Sequence, residues 1–183
     1  MLNLNLYYIS DKYIKYLKEF DNRIYDNKGN EEFHIRKYLG IVLKIGVFNY
    51  YVPFSSPKST DYIDKEKTIV RKSIIPIIRI TQNSNSNRLY GTLRISNMIP
   101  VPISEIKQYK IEDETDKNYK NLILAEIKFI KKNEKMIIKN AHVLYKQREK
   151  KLKIPYVENS LNFKFLEQKC IDYMTSINAP IVQ

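Results

Sequence analysis

One cysteine, two histidines and four glycines among 183 residues leave little of the material from which the commoner catalytic centres are built. With Cys170 alone, no intramolecular disulfide can form and a thiolate-rich zinc site is excluded. The residue reads as a small buried apolar group. His34 and His142 are far apart and give no metal-ligand spacing, so the chain works without a metal or with one held by carboxylates. The glycines, at 29, 40, 46 and 91, are scattered, which removes a phosphate-cradling loop; a serine nucleophile elbow and an HExxH motif are missing as well. Nucleotide hydrolases and zinc proteases are set aside on these grounds. No stretch approaches the roughly 18 apolar residues of a spanning helix. The opening MLNLNLYYISDK has neither a basic region nor an apolar run long enough for a signal peptide, so a cytoplasmic protein with no membrane partner is expected.

What the chain does have is positive charge. Thirty-two Lys and Arg oppose 20 Asp and Glu, for a formal charge of +12 and a pI near 9.5. An AT-rich coding background would enrich lysine, but it would raise acidic residues too, so the excess points to a polyanionic partner. Nucleic acid is favoured over an anionic membrane surface, because no amphipathic helix keeps a bulky apolar face once a core is built. At 43% hydrophobic, residues 1–183 suit one domain.

Leu6 to Ile9 reads as a strand, and Ser10 or Asp11 caps a helix, DKYIKYLKEFD, with Tyr13, Tyr16, Leu17 and Phe20 on one face. After a turn-rich loop around Asp26 to Asn30, Leu39 to Ile45 and Tyr50 to Phe54 form a hairpin turning at Gly46 to Asn49, with Pro53 at an edge or bulge position. Ser59 to Lys67 is charged and irregular, and Ile74 to Ile80 is extended but broken by Pro76. Arg88 to Ser96 alternates like a strand with one covered face. Met98 to Val101 is extended, and Pro102, Ser104 and Glu105 signal a helix start. From Thr115 the period becomes helical, with a break near Asn133, a second helix running into the basic stretch Lys146 to Lys153, and Pro155 as its stop. Ser160 caps a last helix carrying Leu161, Phe165, Leu166, Cys170 and Tyr173. The expected class is α+β with an antiparallel sheet.

Chemistry is concentrated at the end of the hairpin, where Phe54-Ser55-Ser56-Pro57-Lys58 places two hydroxyls and an ammonium on a turn that Pro57 stiffens. RNA cleavage needs no metal in principle. The 2′-hydroxyl attacks the adjacent phosphate if its proton is taken, the extra phosphorane charge is stabilised and the leaving oxygen is protonated; Lys and Arg meet the second need. Ser55, Ser56 and Lys58, with Arg36 or Lys37 just upstream, can surround such a phosphate. From spacing alone an ordinary surface loop is the stronger reading. Tyr13 is similarly divided between core packing and a rim hydroxyl. Lys146, Arg148, Lys150 and Lys151 are a solvated helix end by default and phosphate contacts by charge.

The chain resembles the ToxN/AbiQ family, protein toxins of type III toxin-antitoxin systems whose antitoxin is an RNA. The resemblance rests on residues 10–21 (SDKYIKYLKEFD), 36–43 (RKYLGIVL), 52–58 (VPFSSPK), 97–102 (NMIPVP) and 163–170 (FKFLEQKC), in that order along nearly the whole chain. It implies a twisted antiparallel sheet, barrel-like and similar to the Kid/MazF toxins, flanked by helices. It also implies a metal-independent endoribonuclease that cuts A-rich RNA, leaves 2′,3′-cyclic phosphate and 5′-hydroxyl ends, and needs no cofactor. Its antitoxin is a repeat-derived RNA pseudoknot, through which any oligomer is assembled, and its role is abortive infection by phage. By the same resemblance Ser56, Lys58 and Tyr13 are catalytic and Ser55 is their phosphate-holding neighbour. Arg36 stands where some members have lysine; since arginine stays protonated, it is assigned to phosphate binding. A second family tyrosine has no counterpart near Glu32 and Phe33. The rival from another class is a non-catalytic RNA- or DNA-binding protein.

Overall fold

The computed structural model describes residues 4–27, 36–82 and 88–177. Its elements are β1 (Asn5–Ile9), α1 (Asp11–Lys18), β2 (Tyr38–Ile45), β3 (Phe48–Ser55), β4 (Ile77–Thr81), β5 (Leu89–Arg94), β6 (Ile99–Pro100), β7 (Ile106–Gln108), α2 (Lys117–Glu149), α3 (Pro155–Glu158) and α4 (Phe163–Ser176). Among the described residues seven strands make one antiparallel sheet in the order β4-β5-β3-β2-β1-β7, with β6 paired to β3 beside that path. The α+β class is as expected. The sheet is open, ending on β4 and β7, so the barrel-like curl does not close.

β3 organises the sheet. Its first half pairs with β6 through Tyr50 and Tyr51, its last residues Phe54 and Ser55 pair with Leu93 and Thr92 of β5, and β2 runs along its other side. The β2–β3 register shifts between Leu39 and Leu43, and Gly40 sits in that interval. A Cβ there would overlap the ring of Tyr51, so only glycine allows this approach.

Ser10 is the α1 cap: its Oγ accepts from the Tyr13 N–H at 3.1 Å and donates to the Glu105 carboxylate. Tyr13, Ile14 and Leu17 are buried, whereas Phe20 lies past the helix end and is 39% exposed. The same Glu105 explains a correction. No helix starts at Pro102; a single turn over Ile103–Glu105 leads into β7, because the Glu105 carbonyl accepts the Ser10 N–H and Ile106 to Gln108 pair with β1.

Three further expectations are corrected. The break near Asn133 does not occur: α2 runs unbroken through 33 residues with no glycine or proline, and the Asn133 amide donates back to the Phe129 carbonyl at 2.8 Å. Its stripe Ile123, Ile130, Ile137, Ala141 and Leu144 is buried. Pro155 does not stop that helix but opens α3, α2 having ended at Glu149 before Lys151 turns with φ 52°. The cap of α4 is Asn162, whose Oδ1 accepts from the Phe165 N–H, while the Ser160 hydroxyl donates to the Tyr156 carbonyl. β5 also departs from its alternation. Leu89, Gly91 and Leu93 are buried, but so are Thr92 and Arg94, because both faces are covered, one by α2 and the other by the excursion after Lys58.

Candidate RNA-cleaving site

Strand geometry sorts the candidate residues. Successive residues of extended chain point to opposite faces, and Arg36 and Lys37 are divided in that way. Arg36 turns to the surface at the end of β3, its Nη1 donating to the Phe54 carbonyl and its Nε to the Asp26 carbonyl at 2.8 Å. Lys37, expected to bind phosphate, is instead 4% exposed. Its Nζ donates to the Tyr119 hydroxyl at 2.6 Å and lies 4.2, 4.5 and 5.8 Å from the ring centres of Tyr119, Tyr109 and Tyr8. Such an aromatic cage holds a cation away from water. This corrects its assignment.

The turn itself is open. Ser55 is half-buried, Ser56 and Lys58 are exposed, and the Ser55 hydroxyl donates to the Ser56 carbonyl at 3.2 Å. Tyr25, which sequence reasoning passed over, joins the turn to Arg36: its ring lies 4.8 Å from the Arg36 guanidinium and 5.5 Å from the Lys58 ammonium. Two cations thus lie against one aromatic ring, and Lys58 follows two residues after Ser56 in the same turn. No spacing rule links Tyr25 to residues 11 and 33 positions further on, so only the fold reveals it.

Tyr13 is not brought to this turn. It is fully buried, its hydroxyl donates to the Pro100 carbonyl at 2.7 Å, and its ring packs edge-on against Tyr173 at 4.9 Å. Burial pushes its pKa well above the ordinary value, with Cys170 adding to the shift. Pro100 faces Tyr50, six residues before Ser56, which places the two sites about 20 Å apart along extended chain. Nor are Lys146, Lys150 and Lys151, all exposed, part of the cluster; the half-buried Arg148 donates through Nε to the Leu161 carbonyl. Among the described residues no three His, Cys, Asp or Glu side chains converge on a metal-sized site.

Beneath the turn lies a second residue the sequence did not single out. Glu126, on the buried side of α2, sets its Oε1 2.6 Å from where a Gly91 Cβ would be, and the Ser55 carbonyl is 3.4 Å from that point. Burial raises its pKa to about 7, against the pull of Lys37. Burial lowers Lys37 to about 8, opposed by Glu114 and Glu126. Glu126 is therefore protonated more readily folded than unfolded. Its contribution to stability is complete below its ordinary value of 4.5 and is lost as pH rises through about 7. Lys37 has the opposite sign: its contribution is present above 10.5 and lost as pH falls through about 8. Glu126→Gln is expected to flatten the fall in stability between pH 5 and 7, gaining about 2 kcal/mol relative to the parent across that window. Urea midpoints measured from pH 5 to 8 check this; parallel curves for the two proteins would contradict it.

The sequence matches the family Toxin ToxN, type III toxin-antitoxin system, over residues 5–171. Its relatives include Endoribonuclease ToxN of Bacillus thuringiensis subsp. kurstaki, 30% identical over 178 residues covering 93% of this chain and 84% of that protein. Endoribonuclease AbiQ of Lactococcus lactis subsp. lactis is 29% identical over 172 residues, covering 94% and 90%. Among solved structures, the lactococcal anti-phage endoribonuclease AbiQ, of the type III toxin-antitoxin system, aligns with a TM-score of 0.77 at 28% identity, over 94% of this chain and 99% of its own. A type III toxin structure concerned with selective inhibition by a non-coding RNA pseudoknot aligns with a TM-score of 0.75 at 27% identity, over 93% and 98%. Nearly the whole fold, from β1 into α4, is shared, and the chain belongs to the ToxN family of type III toxin-antitoxin toxins.

Proposed function

We propose that this chain is an endoribonuclease toxin that cleaves RNA at the Ser56–Lys58 turn. One observation carries the reading: at the open end of β3, Arg36 and Lys58 both lie against the Tyr25 ring, and Lys58 shares its turn with Ser55 and Ser56. A phosphate seated there faces two cations and two donors. Lys58 stabilises the charge that grows on the phosphorane, and the Ser56 hydroxyl donates to a non-bridging oxygen. Arg36, tied to two backbone carbonyls, holds a fixed positive charge against the neighbouring phosphate and acts as neither base nor acid. Attack by the 2′-hydroxyl then leaves a 2′,3′-cyclic phosphate and a 5′-hydroxyl.

The relatives extend the reading to biology. As in the toxin inhibited by an RNA pseudoknot, a repeat-derived RNA antitoxin occupies the basic surface and blocks the turn; as with anti-phage AbiQ, release leads to abortive infection. The site of action is the cytoplasm; no described helix is long and apolar enough to cross a membrane. Lys146, Arg148, Lys150 and Lys151 form a separate cationic surface for RNA backbone. Incubating the purified protein with A-rich RNA in EDTA, at moderate salt, is expected to give new 5′-hydroxyl and 2′,3′-cyclic phosphate ends. Salt-sensitive binding without new ends would make it the non-catalytic RNA-binding protein instead.

A further inference from the structure

We propose that Asp61 is a positioning residue of the cleavage site, holding the Ser56–Lys58 turn against the β4–β5 hairpin; this rests on the reading of Lys58 above. Asp61 is fully buried in the short turn Ser59–Asp61 that follows Lys58. Its Oδ2 accepts the Lys58 backbone N–H at 3.0 Å and Arg94 Nη2 at 2.9 Å, and its Oδ1 lies 3.1 Å from Arg79 Nη2. Its own N–H donates to the Lys58 carbonyl at 2.9 Å. Residue 61 therefore holds both the N–H and the C=O of Lys58, while the Lys58 side chain stays exposed and leans over Tyr25.

The clamp is anchored to rigid elements. Arg79 is on β4 and Arg94 ends β5, the strand whose Leu93 and Thr92 pair with Phe54 and Ser55. Outward from Asp61, its carbonyl accepts the Arg71 N–H at 2.9 Å, Arg71 Nε donates to the Tyr62 carbonyl at 2.9 Å, and Arg79 Nη1 donates to the Lys72 carbonyl at 2.7 Å. The excursion from 59 to 73 is thus folded over one carboxylate. Burying a carboxylate with two guanidinium groups is costly for a surface loop that only needs to be closed. It does fix a backbone position, and a catalytic group displaced by about 1 Å loses on the order of 10²-fold in rate.

The test is a double-mutant cycle on cleavage of A-rich RNA under single-turnover conditions. Asp61→Asn, which keeps an acceptor but not the charge, is expected to lower the cleavage rate about 10²-fold, with affinity for the RNA nearly unchanged. In a Lys58→Ala background the same change is expected to cost less than about twofold, since Asp61 acts through Lys58. If Lys58→Ala cleaves too slowly to follow, Lys58→Gln, which also removes the ammonium, serves as the background. Losses that multiply, or a folded Asp61→Asn protein that cleaves at the parental rate, overturn the positioning role while leaving the site in place. A Lys58→Ala protein that cleaves normally overturns the site reading itself. If Asp61→Asn shows no cooperative melting, Arg94→Gln takes its place. That change leaves Asp61 and Arg79 as a balanced pair and is expected to give the same non-additive pattern with a loss of about tenfold.

Discussion

Ser56→Ala is expected to slow RNA cleavage by about 10²–10³-fold while the antitoxin RNA binds as before, because one hydroxyl donor to the phosphorane is removed and no charge changes. Ser56 is exposed at the end of a strand whose pairing with β5 does not involve its side chain, so the variant keeps the fold. Lys58→Ala is expected to be at least as slow, and it carries a second signature. Losing a phosphate contact weakens RNA binding generally and reduces the slope of log affinity against log salt by about one. Ser56→Ala leaves that slope unchanged. The pair of variants thus separates a group that acts on the reacting phosphate from one that also holds the strand. Parental cleavage by Ser56→Ala would move the chemistry away from this turn.

Gly40→Ala carries the largest expected loss of stability. The added methyl overlaps the Tyr51 ring, which is 1% exposed and held on another side by Tyr7, edge-on at 5.3 Å. The ring has no open direction to yield. Overpacking of this kind costs about 1–3 kcal/mol, more than the gain of under about 1 kcal/mol from stiffening the unfolded chain. For a chain of this size melting is expected to fall by roughly 2–12 °C. Tyr51→Leu, destabilising alone through the space it leaves, is expected to recover part of the loss when combined with Gly40→Ala. Thermal melts of the two single variants and the double variant measure this, and a Gly40→Ala protein that melts with the parent would show that the ring moves freely.

The hairpin around Gly46 was legible because two short apolar runs joined by a turn leave few other folds open, and the turn after it followed. What lay beyond local pattern was the fate of individual polar side chains. Arg36 and Lys37 look equivalent in sequence, yet strand alternation sends one to the site and the other into a cage made by Tyr8, Tyr109 and Tyr119, residues 29 positions before it and 72 and 82 after. Alternation does require that the two point oppositely; only tertiary contacts decide which goes where. Asp61 was one acid in a charged stretch with Asp64 and Glu66, and its burial follows from two arginines contributed by different strands. Tyr13 followed its helical stripe into the core. Phe20, at the same periodic phase, did not, because α1 ends at Lys18.

The unbroken α2 has a consequence of scale. Glu126 lies under the Ser55–Lys58 turn and Lys146 is twenty residues further along the same helix, so the two are about 30 Å apart along the axis. Without the hinge that a break at Asn133 would have given, that spacing is fixed like a gauge. An RNA that contacts both the turn and Lys146, as proposed above, spans about 30 Å, which is roughly nine stacked nucleotides at about 3.4 Å each, or a folded body of equal breadth.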